Sequence, residues 1–102
     1  MDKIIVQTDD FDLTTEVNLA KANNPSVGAI VSFVGAVRDL HSKSLSSMTL
    51  EHYPGMTEKS LELIATKARE KWELQNITII HRIGTLNVND QIVIVITTSK
   101  HR

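Results

Sequence analysis

Five consecutive apolar residues, the run IVIVI at 92–96, constrain the fold of this chain more than any other feature. An unbroken β-branched run of that kind predicts a strand, here Gln91–Thr98, that is buried on both faces. The segment Gly28–Val34 is nearly as apolar and predicts a second buried strand. A sheet that contains such strands needs other layers packed on both of its sides.

The rest of the pattern predicts three more strands and two helices, in the order β-α-β-β-α-β-β. The three strands are expected at Lys3–Thr8, Met48–Tyr53 and Ile77–Ile83. This order is typical of an α+β domain, with a mixed or antiparallel sheet and two helices packed on it. The pattern alone favours a ferredoxin-like arrangement. Residues 39–47 are polar and rich in serine, which predicts a surface loop.

Each predicted helix has its own start signal. Asp12 is expected to cap the first helix, and Asn23-Asn24-Pro25 to end it. Thr57 is expected to cap the second helix. One stripe of this second helix is predicted to pack in the core, and it comprises Leu61, Ile64, Ala68 and Trp72.

Two helices of about 11 and 15 residues are modest cover for five strands, one of them as apolar as residues 91–98. We therefore expect an apolar surface that something outside these residues covers. A partner subunit could supply that cover, and so could a C-terminal segment that these 102 residues lack.

Composition narrows the function classes. A chain of 102 residues forms a single domain, 1–102. Its net charge of −1 argues against nucleic-acid binding, which depends on many basic contacts to phosphate. Without Cys, the chain has no disulfide, no Cys-based zinc site and no thiol nucleophile. The first residues show no signal-peptide pattern and no apolar run is long enough for a bilayer, so we expect a cytoplasmic protein that does not bind membranes.

Basic side chains near strand ends are the strongest candidates for a binding site. Arg38 follows an apolar strand and a glycine, His81-Arg82 lie within a strand, and His101 and Arg102 follow the last strand. Arg matches phosphate and carboxylate groups through paired hydrogen bonds, so these residues point to an anion pocket. The alternative is that they are solvated surface residues or halves of weak ion pairs. Because neighbouring strand residues point to opposite faces, one of His81 and Arg82 is expected to be structural.

Other kinds of site find little support. The four histidines lack the HxxxH or HxH spacing of metal ligands, so we expect no metal. His52 is expected to be a cross-strand or core-edge residue. The four glycines are isolated and form no phosphate-binding loop, and no serine lies in a nucleophile motif. We therefore expect no bound cofactor.

Four motifs, in order along residues 28–102, resemble the large, catalytic subunit of molybdopterin synthase. They are FVGAVRD at 33–39, LEHYPGMTEK at 50–59, IIHRIG at 79–84 and SKHR at 99–102. The resemblance implies an α/β-hammerhead fold. It also implies a sulfurtransferase of molybdenum cofactor biosynthesis, which converts cyclic pyranopterin monophosphate into molybdopterin by inserting two sulfurs as a dithiolene.

The resemblance also implies partners. The sulfur arrives as a thiocarboxylate on the C-terminal glycine of a small ubiquitin-like sulfur-carrier subunit. Two large subunits form a homodimer, and one small subunit at each end completes a heterotetramer. A large subunit without Cys fits this scheme, because its partner brings the sulfur.

Matched position by position, the resemblance assigns Arg38 to the substrate pocket and Phe33 to the pocket wall. It places His101 and Arg102 near the phosphate or the tail, and we take Arg38, His101 and Arg102 as the catalytic candidates. It further implies two lysines beyond the His-Arg pair, to which no lysine here corresponds. We therefore expect a truncated subunit with impaired or absent catalysis. The alternatives are a scaffold that binds the small subunit or a phosphorylated pterin without turnover, and a small regulatory module that binds a phosphorylated metabolite.

Overall fold

A computed structural model describes residues 2–39 and 47–102 of the chain. The α+β class is confirmed, and the described elements are β1 (Asp2–Gln7), α1 (Leu13–Lys21), β2 (Ala29–Ala36), β3 (Ser47–Leu50), α2 (Met56–Lys71), β4 (Ile77–Arg82), β5 (Gly84–Asn87) and β6 (Gln91–Ser99). Most of the loop predicted at 39–47 lies outside the described residues. Neither helix in the described ranges is long and apolar enough to cross a membrane.

The main sheet has the order β1-β4-β6-β2. β1 and β4 run parallel, whereas β6 is antiparallel to both of its neighbours, β4 and β2. The last strand therefore lies inside the sheet, which explains its unbroken apolar run. A ferredoxin-like sheet would carry the last strand at an edge, so the arrangement favoured by the pattern alone is wrong.

Each face of this sheet packs against one helix. On the first face, Ile80, Ile94 and Ile96 form a buried cluster with Phe11 and with Ala20 of α1. On the second face, a cluster of Ala65 from α2 with Ile77 and Ile79 includes half-buried residues of β1 and β6: Ile4, Val93 and Val95.

The start of α1 is as predicted, but that of α2 is not. The Asp12 carboxylate accepts a hydrogen bond from the Thr15 backbone N–H at 2.9 Å. α2 begins two residues earlier than expected, with Gly55 rather than Thr57 as the cap, at φ +84°. The Glu58 carboxylate accepts from the Gly55 N–H, so the prediction that Thr57 caps the helix is wrong.

The predicted core stripe of α2 is also wrong in part. Ile64 and Trp72 are 59% and 57% exposed, while Ala65 is buried at 2%. Leu61 and Ala68 do pack against the buried cluster on the second face. The helix approaches the sheet through the small side chain of Ala65. Ile64, the preceding residue, therefore lies on the outer side of the helix, away from the contact.

One strand was missed by the sequence reasoning. β5 pairs with β3 in a separate two-stranded sheet, with Met48 opposite Leu86. Gly84, at φ +89°, begins this strand, and Leu86 is buried at 1%. Four residues with a single buried apolar side chain give too little periodicity for a strand prediction.

The uncovered apolar surface lies on β2. In the sheet, β6 is the neighbour of β2, so β2 forms an edge. Val31 and Phe33 are 66% and 61% exposed. They share the second face of the sheet, since they pair with Thr97 and Val95. α2 covers the part of this second face that lies near β1, at the opposite edge of the sheet. Its contact with β1 through Arg69 and Asp2 indicates this position.

Candidate functional site

Arg38 lies directly beyond β2 and is exposed. The residue before it, Val37, is buried at 2%. The Val37 backbone N–H donates to the Asp90 carbonyl at 2.9 Å, and its carbonyl accepts from the Asn89 N–H at 2.8 Å. These two bonds fix the backbone from which the Arg38 side chain projects.

His101 and Arg102 lie at the other end of the same strand pair, and both are exposed. Ala29 at the start of β2 pairs with Ser99 at the end of β6. The eight residues of β2 separate this end from Arg38 by roughly 26 Å, at about 3.3 Å per residue. Arg38 and Arg102 therefore do not share a pocket within one chain, because the two ends of an antiparallel strand pair lie on opposite sides of a sheet.

Phe33 lies between these two ends. Its ring covers Gly35: a Cβ built on Gly35 would stand 3.6 Å from Cε1 of Phe33. The aromatic ring therefore leans along β2 toward the end that carries Arg38. The structure brings Phe33 and Arg38 to the same part of the strand and leaves His101 and Arg102 apart from them.

A cavity of about 470 Å³ adjoins His101. One wall is the turn after α2, residues 72–75, and the other is the end of β6 with the residues after it, 99–101. The lining residues therefore include one aromatic residue (Trp72), one acidic residue (Glu73), one lysine (Lys100) and one histidine (His101).

Arg69 holds the first wall of this cavity. Its Nη1 donates to the Leu74 carbonyl at 2.8 Å and its Nη2 to the Gln75 carbonyl at 3.0 Å. The same guanidinium forms an ion pair with Asp2 on β1. One side chain thus ties the turn after α2 to the edge of the sheet.

The second wall is held by short-range bonds. The Gly28 N–H donates to the Ser99 carbonyl at 2.8 Å, and the Ser99 hydroxyl donates to the His101 carbonyl at 2.7 Å. Sequence reasoning missed Trp72 and Lys100 as parts of a site. Lys100 could have been suspected from its place beside His101, whereas Trp72 was assigned to the core.

One of His81 and Arg82 was expected to have a structural role, and that residue is Arg82. Its side chain is 13% exposed and donates to the carbonyls of Thr8 and Gln91, at 3.1 and 3.0 Å. Hydrogen bonds from Gln91 and from the Phe11 N–H, together with the charge of Arg82, lower the pKa of Asp10. His81 lies on the opposite face of β4, the one that packs against α2.

Two further predictions concern histidines and metals. The His52 imidazole lies 3.2 Å from the Glu58 carboxylate, at the start of α2, which fits a structural role. Within residues 2–39 and 47–102, no three His, Asp or Glu side chains are grouped so that they could hold a metal ion.

The sequence and the fold match one protein family. The family model described as MoaE protein matches residues 6–102. The molybdopterin synthase catalytic subunit of Ralstonia nicotianae is 48% identical over an alignment that covers 100% of this chain and 58% of that relative. The chain thus spans less than two thirds of that relative's length.

Solved structures agree with this match. A molybdopterin biosynthesis MoaE protein from Burkholderia ambifaria superimposes with a TM-score of 0.90 and 52% identity, covering 100% of this chain and 67% of that one. A complex of subunits 1 and 2 of molybdopterin-converting factor from Helicobacter pylori shares the fold, with a TM-score of 0.71 at 19% identity, over 97% of this chain and 65% of that one. The chain belongs to the MoaE protein family.

Proposed function

We propose that this chain acts as the large subunit of molybdopterin synthase. It would accept sulfur from the thiocarboxylated C-terminus of a small ubiquitin-like subunit and transfer it to cyclic pyranopterin monophosphate, giving the molybdopterin dithiolene. The observation that carries the proposal is the placement of Arg38 and of His101-Arg102 at the two ends of an uncovered edge strand, β2.

The edge of β2 is the surface through which we expect two copies of the chain to meet. Its sequence, AIVSFVGA, contains no charged residue and no proline. Soluble proteins normally protect an exposed edge with such residues, because an open apolar edge pairs with other chains. Val31 and Phe33 are therefore expected to be covered by a second copy in solution.

A twofold pairing of β2 with its copy would join the separated cations. In an antiparallel pair, the end of one β2 lies beside the start of the other. The start of β2 is already bonded to the end of β6, through Ala29 and Ser99. Arg38 of one copy would thus lie near the partner subunit's His101 and the partner subunit's Arg102. Each dimer would contain two such composite sites.

The chemistry of a composite site fits the proposed reaction. Two guanidinium groups and an imidazole can hold a phosphate or a carboxylate-like tail through charge-assisted hydrogen bonds. The chain has no Cys, so the sulfur must come from another molecule. Each thiocarboxylate that gives up its sulfur takes an oxygen from water and ends as a carboxylate. The two sulfurs of one dithiolene therefore require two thiocarboxylated C-termini of the small subunit.

A mixing experiment tests the composite site. Arg38→Ala and Arg102→Ala chains are each expected to form little dithiolene with the thiocarboxylated small subunit. Mixed and re-equilibrated, they should recover about a quarter of the wild-type rate, because about half of the dimers are mixed and each of these keeps one intact site. Failure of the mixture to exceed either variant alone would refute sites shared between copies.

Binding without turnover is the second candidate function. The lysine that lines the cavity is Lys100, whereas the resemblance implies two functional lysines after the His-Arg pair, to which no lysine of this chain corresponds. If the chain only binds, the small subunit or the phosphorylated pterin would bind with micromolar affinity, as measured by calorimetry, and no dithiolene would form. Product formation by the unaltered chain would exclude this candidate.

A further inference from the structure

We propose that Asn89 is a positioning residue that acts through Arg38. Its left-handed backbone conformation shapes the turn that sets where the Arg38 side chain leaves the sheet. This inference rests on the proposed function, in which Arg38 holds an anionic part of the substrate or of the small subunit's tail. It adds a residue that is bonded to the backbone just before Arg38 rather than to the reacting groups.

The regular strand pairing stops short of Arg38. The pairing of β2 with β6 shifts its register between Gly35 and Ala36, the last residue of β2. An irregularity of this kind changes the direction of the chain that follows it. The direction in which Arg38 leaves the sheet therefore depends on what holds Val37, the residue between them.

The turn between β5 and β6, residues 87–90, holds Val37. The Asp90 N–H donates to the Asn87 carbonyl at 3.0 Å, which closes the turn. The Val37 N–H donates to the Asp90 carbonyl at 2.9 Å, and the Asn89 N–H donates to the Val37 carbonyl at 2.8 Å. Both backbone polar groups of Val37 are thus bonded to the turn.

The conformation of Asn89 decides one of these two bonds. Asn89 has φ +76°, the value that a type II turn requires at its third residue and that Gly and Asn adopt most readily. A type I turn has a negative φ there, and the peptide before that residue is flipped over. The residue 89 N–H would then point away from Val37. The left-handed conformation of Asn89 is therefore what directs its N–H to the Val37 carbonyl.

Both ends of the turn are held by other parts of the fold. At one end, Asn87 closes β5 in the two-stranded sheet, and its N–H donates to the Asp90 carboxylate at 2.8 Å. At the other end, Nη1 of Arg82 donates to the carbonyl of Gln91, the residue after the turn, at 3.0 Å. A turn that is fixed at both ends can impose a defined position on the backbone bonded to it.

The buried side chain of Val37 is the other feature that could hold this backbone. A single anchored side chain, however, leaves the backbone free to rotate about it, whereas hydrogen bonds from both backbone groups remove that freedom. The orientation of Arg38, the next residue, therefore depends on the turn as well as on the burial of Val37.

Asn89→Val tests the inference, because a β-branched residue is strongly disfavoured at positive φ. Its kcat/KM for dithiolene formation should fall about tenfold or more, since a misplacement of about 1 Å can cost on the order of 100-fold. Asn89→Gly, which adopts positive φ freely, should keep the unaltered rate. In an Arg38→Ala background, Asn89→Val should change the small remaining kcat/KM by about twofold or less. An equal loss in both backgrounds would indicate a purely structural role and would overturn the inference.

Hydrogen exchange gives a readout that does not depend on turnover. The Val37 N–H donates to the turn, so it should exchange about tenfold faster or more in Asn89→Val, and at about the unaltered rate in Asn89→Gly. If exchange at Val37 is unchanged in Asn89→Val, the buried Val37 side chain holds this backbone without the turn, and the inference fails.

The matched control is Asn23→Val. In the part of the chain that the structure describes, Asn23 is the other non-glycine residue with a positive φ, +57°, and like Asn89 it is exposed. It lies between α1 and β2, at the end of β2 opposite to Arg38. Asn23→Val should therefore destabilise the fold to a similar extent, measured by thermal unfolding, and leave exchange at Val37 unchanged. If it accelerates that exchange as much as Asn89→Val does, lost stability explains both results and the positioning role is refuted.

The fate of the proposed function can be read separately. If the unaltered chain forms no dithiolene, the sulfur-transfer proposal fails, and exchange at Val37 still decides whether Asn89 places the backbone before Arg38. If dithiolene forms but Asn89→Val lowers kcat/KM equally with and without Arg38, the sulfur-transfer proposal stands and the positioning role fails.

Discussion

The backbone of Gly28 lies so close to the carbonyl oxygen of Lys100 that a Cβ at position 28 would overlap it. This approach joins the start of β2 to the residues that follow β6. The neighbouring hydrogen bond from the Gly28 N–H to the Ser99 carbonyl measures 2.8 Å. The position of one cavity wall therefore depends on the absence of a side chain at residue 28.

Gly28→Ala is expected to destabilise the chain by about 1–3 kcal/mol, because one of the two backbones must move. Urea denaturation followed by circular dichroism measures the change. Ser60→Ala, at an exposed position of α2, is the control and should leave the free energy of unfolding nearly unchanged. An unaltered midpoint for Gly28→Ala would show that the close approach does not exist in solution.

Arg69→Met should lower the free energy of unfolding by about 1–3 kcal/mol, since it leaves the Leu74 and Gln75 carbonyls and the Asp2 carboxylate without their shared donor. Arg69→Lys keeps the charge but cannot reach all three acceptors, so it should recover only part of the loss. Thermal unfolding compares the variants. If Arg69→Lys restores the full stability, charge alone explains the role of Arg69.

Asp10 gives a testable pH dependence. Hydrogen bonds from Gln91 and Phe11, and the charge of Arg82, hold the pKa of Asp10 below its ordinary 3.8. The folded chain thus binds this proton more weakly than the unfolded chain does. The resulting stability is present above pH 3.8 and is lost as the pH falls through the lower, folded pKa.

Gln91→Leu removes the largest of these causes, so the pKa of Asp10 should rise toward 3.8. Carboxyl carbon shifts in an NMR titration measure it. Asp9→Asn is the control, because Asp9 is exposed and the change leaves the Gln91 bond to Asp10 in place. An unchanged Asp10 midpoint in Gln91→Leu would contradict the assigned cause.

Val31→Lys should prevent association through β2, because it places a charge in the middle of the exposed edge. Sizing with light scattering at micromolar concentration should then give a monomer, whereas the unaltered chain is expected to give a dimer. Leu63→Lys is the matched control: Leu63 is 55% exposed on α2, away from β2. A dimer that survives Val31→Lys would rule out the β2 edge as the interface.

Local features were predictable from the sequence, and non-local ones were not. The cap at Asp12 depends on residues three apart, and its bond to Thr15 is present. The face of α2 that enters the core depends on Ala65, whose small side chain gives no hydrophobic signal. Strand β5 was missed for a similar reason, because one buried leucine gives no alternating hydrophobic pattern.

The candidate site shows the same division. Arg38 and Arg102 are candidate site residues because of their residue type, their positions at strand ends and the family resemblance. Their separation follows from the antiparallel pairing of β2 with β6, which joins segments about 60 residues apart in sequence. No local pattern reports that pairing.

The interior position of β6 has a consequence for how the chain folds. β2 and β4 become neighbours in one sheet only through β6, which follows both in sequence. Until β6 is synthesised and inserted, the parallel pair β1–β4 and the strand β2 remain unconnected and expose apolar edges. Such long-range pairing slows folding and prolongs the exposure of aggregation-prone strands. Loss of residues 91–99 should therefore leave an insoluble chain rather than a smaller folded domain, and chaperone dependence during synthesis is the expected cost of closing the sheet last.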